Sequence, residues 1–276
     1  MIEAQSSRKP AVAGLFYPAE KNELNQTIEK LFTKTANFIE NIHNKEHEIK
    51  AIIAPHAGYV YSGECATFGY LQIPKDTKLV YLLGPSHHVG FSGIALPSVK
   101  YFSTPLGDIQ LNQEIIDDLV DKFEHIKFFD QAHQYEHSLE VHLPFLQKYL
   151  ANFKIVPMVV GQCSKHELVK TIEFLDNQNY DSSIFLISSD LSHFHTYENA
   201  KQIDDQTINR ILNFDTNIVG EEACGCYPLN GWLLYAKHNQ LMPKLIKKYN
   251  SGDVFEYGDK SRVVGYASFA FYKQAK

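Results

Sequence analysis

Two hydrophobic rhythms alternate along the chain. Short, mostly apolar runs rich in β-branched and aromatic residues occupy 51–54, 78–83, 154–160 and 183–187, and each reads as a strand buried on both faces. Residues 93–99 predict a further strand, and 263–272 alternate apolar and small residues and close the chain as another. Between these runs the apolar positions recur at helical spacing. Leu24, Ile28, Leu31, Phe32 and Phe38 predict an amphipathic helix over 20–41. Ile115, Ile116, Leu119 and Val120 share one face of a helix over 112–123, with Asn112 as its N-cap. Further helices are expected over 165–175, 197–214 and 232–236, and the small residues of 63–71 predict one that packs tightly.

The remaining stretches read as connections. Prolines at 10 and 18 bracket an extended arm or loop tucked against the body, 44–48 form a charged, solvated link, and 101–107 form a turn-rich link. Residues 135–146 are polar but apolar-punctuated, and on a helix Glu136, His137 and Glu140 would share a face. Strands and helices interleave without repeats or low-complexity linkers. The expected fold is α/β: a single domain over 1–276 with a central mixed or mostly parallel sheet flanked by helices, whose β-α-β crossover through 51–83 is right-handed.

Three of the buried strands end alike. Residues 51–54 run into Pro55-His56-Ala57-Gly58-Tyr59, 78–83 into Gly84-Pro85-Ser86-His87-His88, and 183–187 into Ser188-Ser189-Asp190-Leu191-Ser192-His193. Glycine and proline stop a strand sharply, and in open α/β sheets the carboxyl ends of strands line the crevice where ligands bind. Should these strands be neighbours, His56, one of His87 and His88, Asp190 and His193 converge. Adjacent residues in extended chain point to opposite sides, so at most one of His87 and His88 faces the crevice.

Composition narrows the field. A net charge of −6 with scattered Lys and Arg argues against a nucleic-acid partner. No apolar run approaches the roughly 20 residues of a membrane helix. The first ten residues lack the layout of a signal peptide, and four cysteines at irregular spacing suggest no disulfide framework, so the cytoplasm is the expected compartment. Imidazole is the commonest ligand for zinc, iron and copper, which makes three His-bearing strand ends a candidate metal site. Cys224, in Cys224-Gly225-Cys226, could complete a His/His/Cys set as a thiolate or simply fill space as a small apolar residue. Asp190 could orient His193 as a general acid or base, or cap a helix beginning at Leu191. A serine hydrolase fits poorly, because Gly84-Pro85-Ser86-His87-His88 lacks the final glycine of a nucleophile elbow.

Six motifs in order, Pro10 to Pro18, Ala54 to Tyr59, Gly84 to His88, Ser138 to Pro144, Ser188-Ser189-Asp190 with His193, and Cys224-Gly225 with Pro228, resemble those of the Memo family. The resemblance implies a fold similar to LigB-type (class III) extradiol dioxygenases, which are non-haem iron enzymes. It implies His56, His87 and Cys224 as metal ligands, with Fe(II) expected and Cu or Zn suited by the softer thiolate. It places His193, beside Asp190, at the acid/base position, and leaves Tyr59, His88, Glu140 and His142 as expected substrate contacts. The function implied is a dioxygenase-like oxidoreductase acting on an aromatic or diol substrate. The alternative is a metal carrier or peptide-binding adaptor using the same crevice. A radical-SAM protein is an implied pathway partner.

Overall fold

A computed structural model describes residues 7–36, 48–178, 180, 182–254 and 257–274. Phe38 and the rest of the expected helix beyond Ala36, and all but Glu48 of the expected charged link, lie outside them. In chain order come β1 (Ser7–Arg8), α1 (Lys21–Ala36), β2 (Ile49–Ala54), α2 (Tyr59–Tyr70) and β3 (Leu79–Pro85). Next are β4 (Ile94–Leu96), β5 (Tyr101–Thr104), β6 (Gly107–Gln110), α3 (Gln113–Lys122), β7 (Ile126–Phe128) and α4 (Asp130–Gln134). Then follow α5 (Leu143–Tyr149), β8 (Lys154–Val160), α6 (Lys165–Asp176), β9 (Ser183–Ser188) and β10 (His193–His195). The chain ends through α7 (Tyr197–Leu212), α8 (Cys226–His238), β11 (Met242–Asn250) and β12 (Val263–Tyr272).

The large sheet runs β10-β12-β2-β9-β3-β8-β4-β7, with β11 pairing to β12. Its centre, β2-β9-β3-β8, is parallel, and antiparallel pairs flank it on both sides. The expected α/β sheet is therefore mixed, with a parallel middle. All seven residues of β3 are buried, as an apolar run without alternation requires of a strand covered on both faces. The two layers can be read from the register. Ala51, Phe185 and Phe271 lie abreast across three strands, and Trp232 of α8 packs its ring 5.3 Å from Phe185 and 5.5 Å from Phe271. The next residue along, Ile52, faces the other way, against Gly69 of α2. Helix α6 covers α8 closely at Gly231, where a Cβ would stand 2.4 Å from that of Leu168.

Local signals held where they were strong. The Asn112 side chain accepts from the Ile115 amide at 3.3 Å, and Ser164 forms a capping box with Glu167 at the start of α6. Three expectations need correction, and one strand was not foreseen. Residues 101–107 form the β5–β6 hairpin, joined by β1 into a small second sheet; Tyr101, Phe102 and Thr104 suit a strand, and Pro105 and Leu106 make a turn. Leu191 starts no helix, because the Leu191 amide donates to Gly265 and Ser192 accepts from it, drawing β10 onto β12. Residues 135–146 are not one helix but a loop, a 3₁₀ turn over Glu140–His142 and the start of α5. Strand β11, with Pro243 and three lysines, lacks the apolar run by which the central strands show themselves.

Candidate metal centre

Because β2, β9 and β3 are neighbours, the turns that follow them stand side by side. His56 and His87 meet there with His137, and one donor atom of each lies within 4.8 Å of the others. The His87 and His137 rings stack at 4.5 Å, and the His56 ring stands edge-on to both, at 5.2 and 5.5 Å.

Two of the three imidazoles are aimed by a partner behind them. His87 Nδ1 is 2.8 Å from Glu136 Oε1, and Glu136 Oε2 accepts from the His87 amide at 2.6 Å. The same carboxylate accepts from the amides of His137 and Ser138. Burial alone would raise the pKa of Glu136, but His87 and the His87 and Ser138 amides outweigh it and hold the carboxyl down to about 2. An ionised carboxylate behind Nδ1 leaves Nε2 facing outward, the arrangement that orients histidine towards a metal. His56 Nδ1 lies 2.6 Å from Ser188 Oγ. Burial, and then the charges that His87, His137, His142 and His193 would carry, push the pKa of His56 well below its ordinary value. A neutral imidazole is the form that ligates.

Cys224 reaches this group through His56: its Sγ is 3.3 Å from His56 Nε2. Metal bonds of about 2.3 Å to sulfur and about 2.05 Å to nitrogen put two such donors about 3.1 Å apart at a right angle and about 3.6 Å apart in a tetrahedron. The observed separation falls between the two. Gly225 makes the approach possible, since a Cβ there would meet the Ser188 carbonyl oxygen at 2.5 Å. Burial, and then Asp190, push the Cys224 thiol up, so a ligating thiolate would depend on the metal's own charge.

The other expected residues separate. Asp190 Oδ1 accepts from the His56 amide at 2.8 Å, and the Asp190 amide donates to Cys224 Sγ at 3.2 Å, so this residue holds the backbone of the His56 turn and the sulfur of Cys224. Burial pushes its carboxyl up to about 7. His193 is half-buried on β10 and close enough to His87 and His56 for charge on one to oppose charge on the others; burial lowers its pKa, which the Leu191 backbone partly offsets. His88 is exposed, its ring 5.9 Å from that of His137. Three residues expected to touch substrate are instead used inside the protein. Tyr59 is buried and donates to the Val141 carbonyl. His142 is buried between Tyr70 and Ser188. Glu140 is fully buried and accepts from Arg8, the Ala11 and Val12 amides and the Tyr17 hydroxyl, which pins the N-terminal arm. Sequence reasoning did not single out His137 as a ligand. The signal available was a carboxylate and an imidazole adjacent in Glu136-His137, obscured by the helical reading of that stretch.

The family model described as Memo-like protein matches residues 8–270. The chain belongs to the Memo family. Curated relatives named MEMO1 family protein include one from Methanosarcina mazei, 35% identical over 274 residues and covering 95% of this chain and 97% of the relative. Another, from Sulfurisphaera tokodaii, is 36% identical over 284 residues, covering 96% and 99%. A crystal structure of an uncharacterized protein from Escherichia coli K12 aligns with a TM-score of 0.46 at 12% identity, over 81% of this chain and 99% of that one. Within this Memo-family chain a cavity of about 460 Å³ opens beside Cys224, lined by Pro85, Phe91, Val160, Gln162 and Tyr227 among others and by no charged side chain. No described helix is long and apolar enough to cross a membrane.

Proposed function

We propose that this Memo-family protein binds a first-row transition metal at the carboxyl edge of the sheet and acts as a dioxygenase-like oxidoreductase. Fe(II) is the proposed metal, with Cu or Zn as alternatives, and His56, His87 and Cys224 are the proposed ligands. The observation that carries this reading is the meeting of His56 and His87 with a third imidazole within 4.8 Å, Nδ1 of the first two already engaged by Ser188 and Glu136 and Cys224 Sγ 3.3 Å from His56 Nε2. Bound there, Fe(II) would supply Lewis-acid and oxygen chemistry. The chain's own contributions are more specific. His193, half-buried on β10 with its pKa lowered by burial, is the proposed residue that moves a proton to or from substrate. The uncharged cavity beside Cys224 suits a neutral aromatic or diol substrate. The cytoplasm, with all four cysteines free, and a radical-SAM protein as pathway partner complete the proposal.

One observation favours the second reading, a metal carrier or peptide-binding adaptor. Asp190 spends its carboxylate on the backbone of the His56 turn, so no Asp190–His193 hydrogen bond assembles an acid/base pair. Anaerobic titration with Fe(II), Cu(I) and Zn(II) tests the centre. We expect one metal per chain, lost in His56→Ala and His87→Ala. Comparison of Cys224→Ser with His137→Ala then assigns the third ligand. Uptake by wild type no tighter than by the His56→Ala/His87→Ala double variant would overturn the metal reading. If metal binds, an oxygen-consumption screen with catechols and related diols separates enzyme from carrier.

A further inference from the structure

Ser188 ends β9 on the face of the sheet that α2 covers, with no exposed surface. Its hydroxyl makes three contacts: 2.6 Å to the Ser138 carbonyl oxygen, 2.6 Å to His56 Nδ1 and 2.8 Å to His142 Nε2. A hydroxyl has one proton to give and two lone pairs. The Ser138 carbonyl can only accept, so it takes that proton, and both imidazoles must donate to Ser188. A neutral His56 is thereby the Nδ1–H tautomer, with its Nε2 lone pair turned towards Cys224 Sγ at 3.3 Å. His142 carries its proton on Nε2, so its Nδ1 accepts from the Tyr70 hydroxyl at 2.5 Å. Tyr70, His142, Ser188 and His56 are all buried, and with neutral rings only one placement of protons satisfies every member.

We infer that Tyr70, His142 and Ser188 are positioning residues that lock His56 in the tautomer a metal requires, coupling the C-terminal end of α2 to the centre. The inference rests on the metal reading above for its consequence, but the lock is a property of the metal-free protein. The alternative tautomer would put a proton on the nitrogen that has to ligate and would leave a bare lone pair facing Ser188. The outer partner of a ligating histidine is commonly worth about 10–100-fold in metal affinity. No residue of the chain Tyr70-His142-Ser188 need touch metal or substrate to have this effect.

The test is a long-range proton–nitrogen NMR spectrum of the metal-free protein with ring-labelled histidine, read beside metal affinity from competition with a chelator. Wild type should show His56 protonated at Nδ1 and His142 at Nε2. Ser188→Ala should redistribute the His56 tautomer and weaken metal binding by about 10–100-fold. His142→Gln can still donate to Ser188 and accept from Tyr70, so it should stay closer to wild type than His142→Phe. Tyr70→Phe keeps the ring's packing and supplies the folded variant should Ser188→Ala fail to fold; its His142 signals should move, with a smaller loss of affinity. A wild-type His56 protonated at Nε2 overturns the inference, as do folded Ser188→Ala or Tyr70→Phe proteins with wild-type spectra. A wild-type protein that shows the Nδ1–H tautomer but takes up no metal overturns the metal reading and leaves the lock standing.

Discussion

At the scale of single residues, most of the chemistry is decided by what stands behind a side chain. Glu136 and Glu140 are four residues apart and both fully or nearly fully buried, yet one aims His87 and the other anchors Arg8. Cys224 is the residue whose identity should set metal preference, since thiolate favours soft ions and carboxylate favours hard ones. Cys224→Asp would give a two-histidine, one-carboxylate set. In competition under reducing conditions its preference should shift from Cu(I) towards Fe(II) by at least tenfold. An unchanged ratio would remove Cys224 from the ligand set and leave His137 in its place. His56, the His87-His88 pair and Cys224 were legible as candidates because glycine and proline beside them marked turns, and the family resemblance picked out His87 from the pair. His137 was not, because its part depends on where a loop of irregular backbone carries it.

Among the elements, the N-terminal arm behaves as part of the site's frame. Arg8 Nη1 meets Glu140 Oε2 at 2.5 Å, while its Nε and Nη2 donate to the carbonyls of His133 and Glu136. The Phe16 ring lies 4.7 Å from His137, and the Phe16 carbonyl accepts from the Tyr59 amide that opens α2. Removing one partner of a buried ion pair strands the other, at a cost of about 3–5 kcal/mol. Arg8→Met should therefore lower stability by about that amount in denaturant titrations, whereas Arg8→Met with Glu140→Gln should recover part of it. If the single and double variants unfold alike, Glu140 is held by Tyr17 and the two amides alone. The extended arm was foreseeable from its prolines. Its docking on Glu140 was not, because the partners are more than 120 residues apart in sequence.

The whole molecule carries several buried histidines that must stay neutral, and this makes its stability depend on pH. Burial lowers His133 to about 4 and His142 to about 3, from an ordinary value of 6.5. An unfolded chain would protonate both below pH 6.5, so their contribution is complete above that value and is lost as pH falls towards 4 and 3. For His133 the difference is worth on the order of 3 kcal/mol. Asp190, raised to about 7 from 3.8, acts in the opposite sense, since the folded state binds its proton more readily across that window. The histidines outnumber it. Melting temperatures of the metal-free protein should thus fall steeply from pH 6.5 to 4, and a flat profile would show that these rings reach solvent. What the sequence by itself determined was the alternation of apolar runs with helical periodicity, hence an α/β sheet, and the positions where each strand stops, because these are local consequences of side-chain shape and spacing. What only the tertiary structure decided was strand order, and with it which turns meet. It also decided that His137 joins His56 and His87 while Glu140, His142 and Tyr59 turn inward, since those outcomes depend on hydrogen bonds between residues that no local pattern relates.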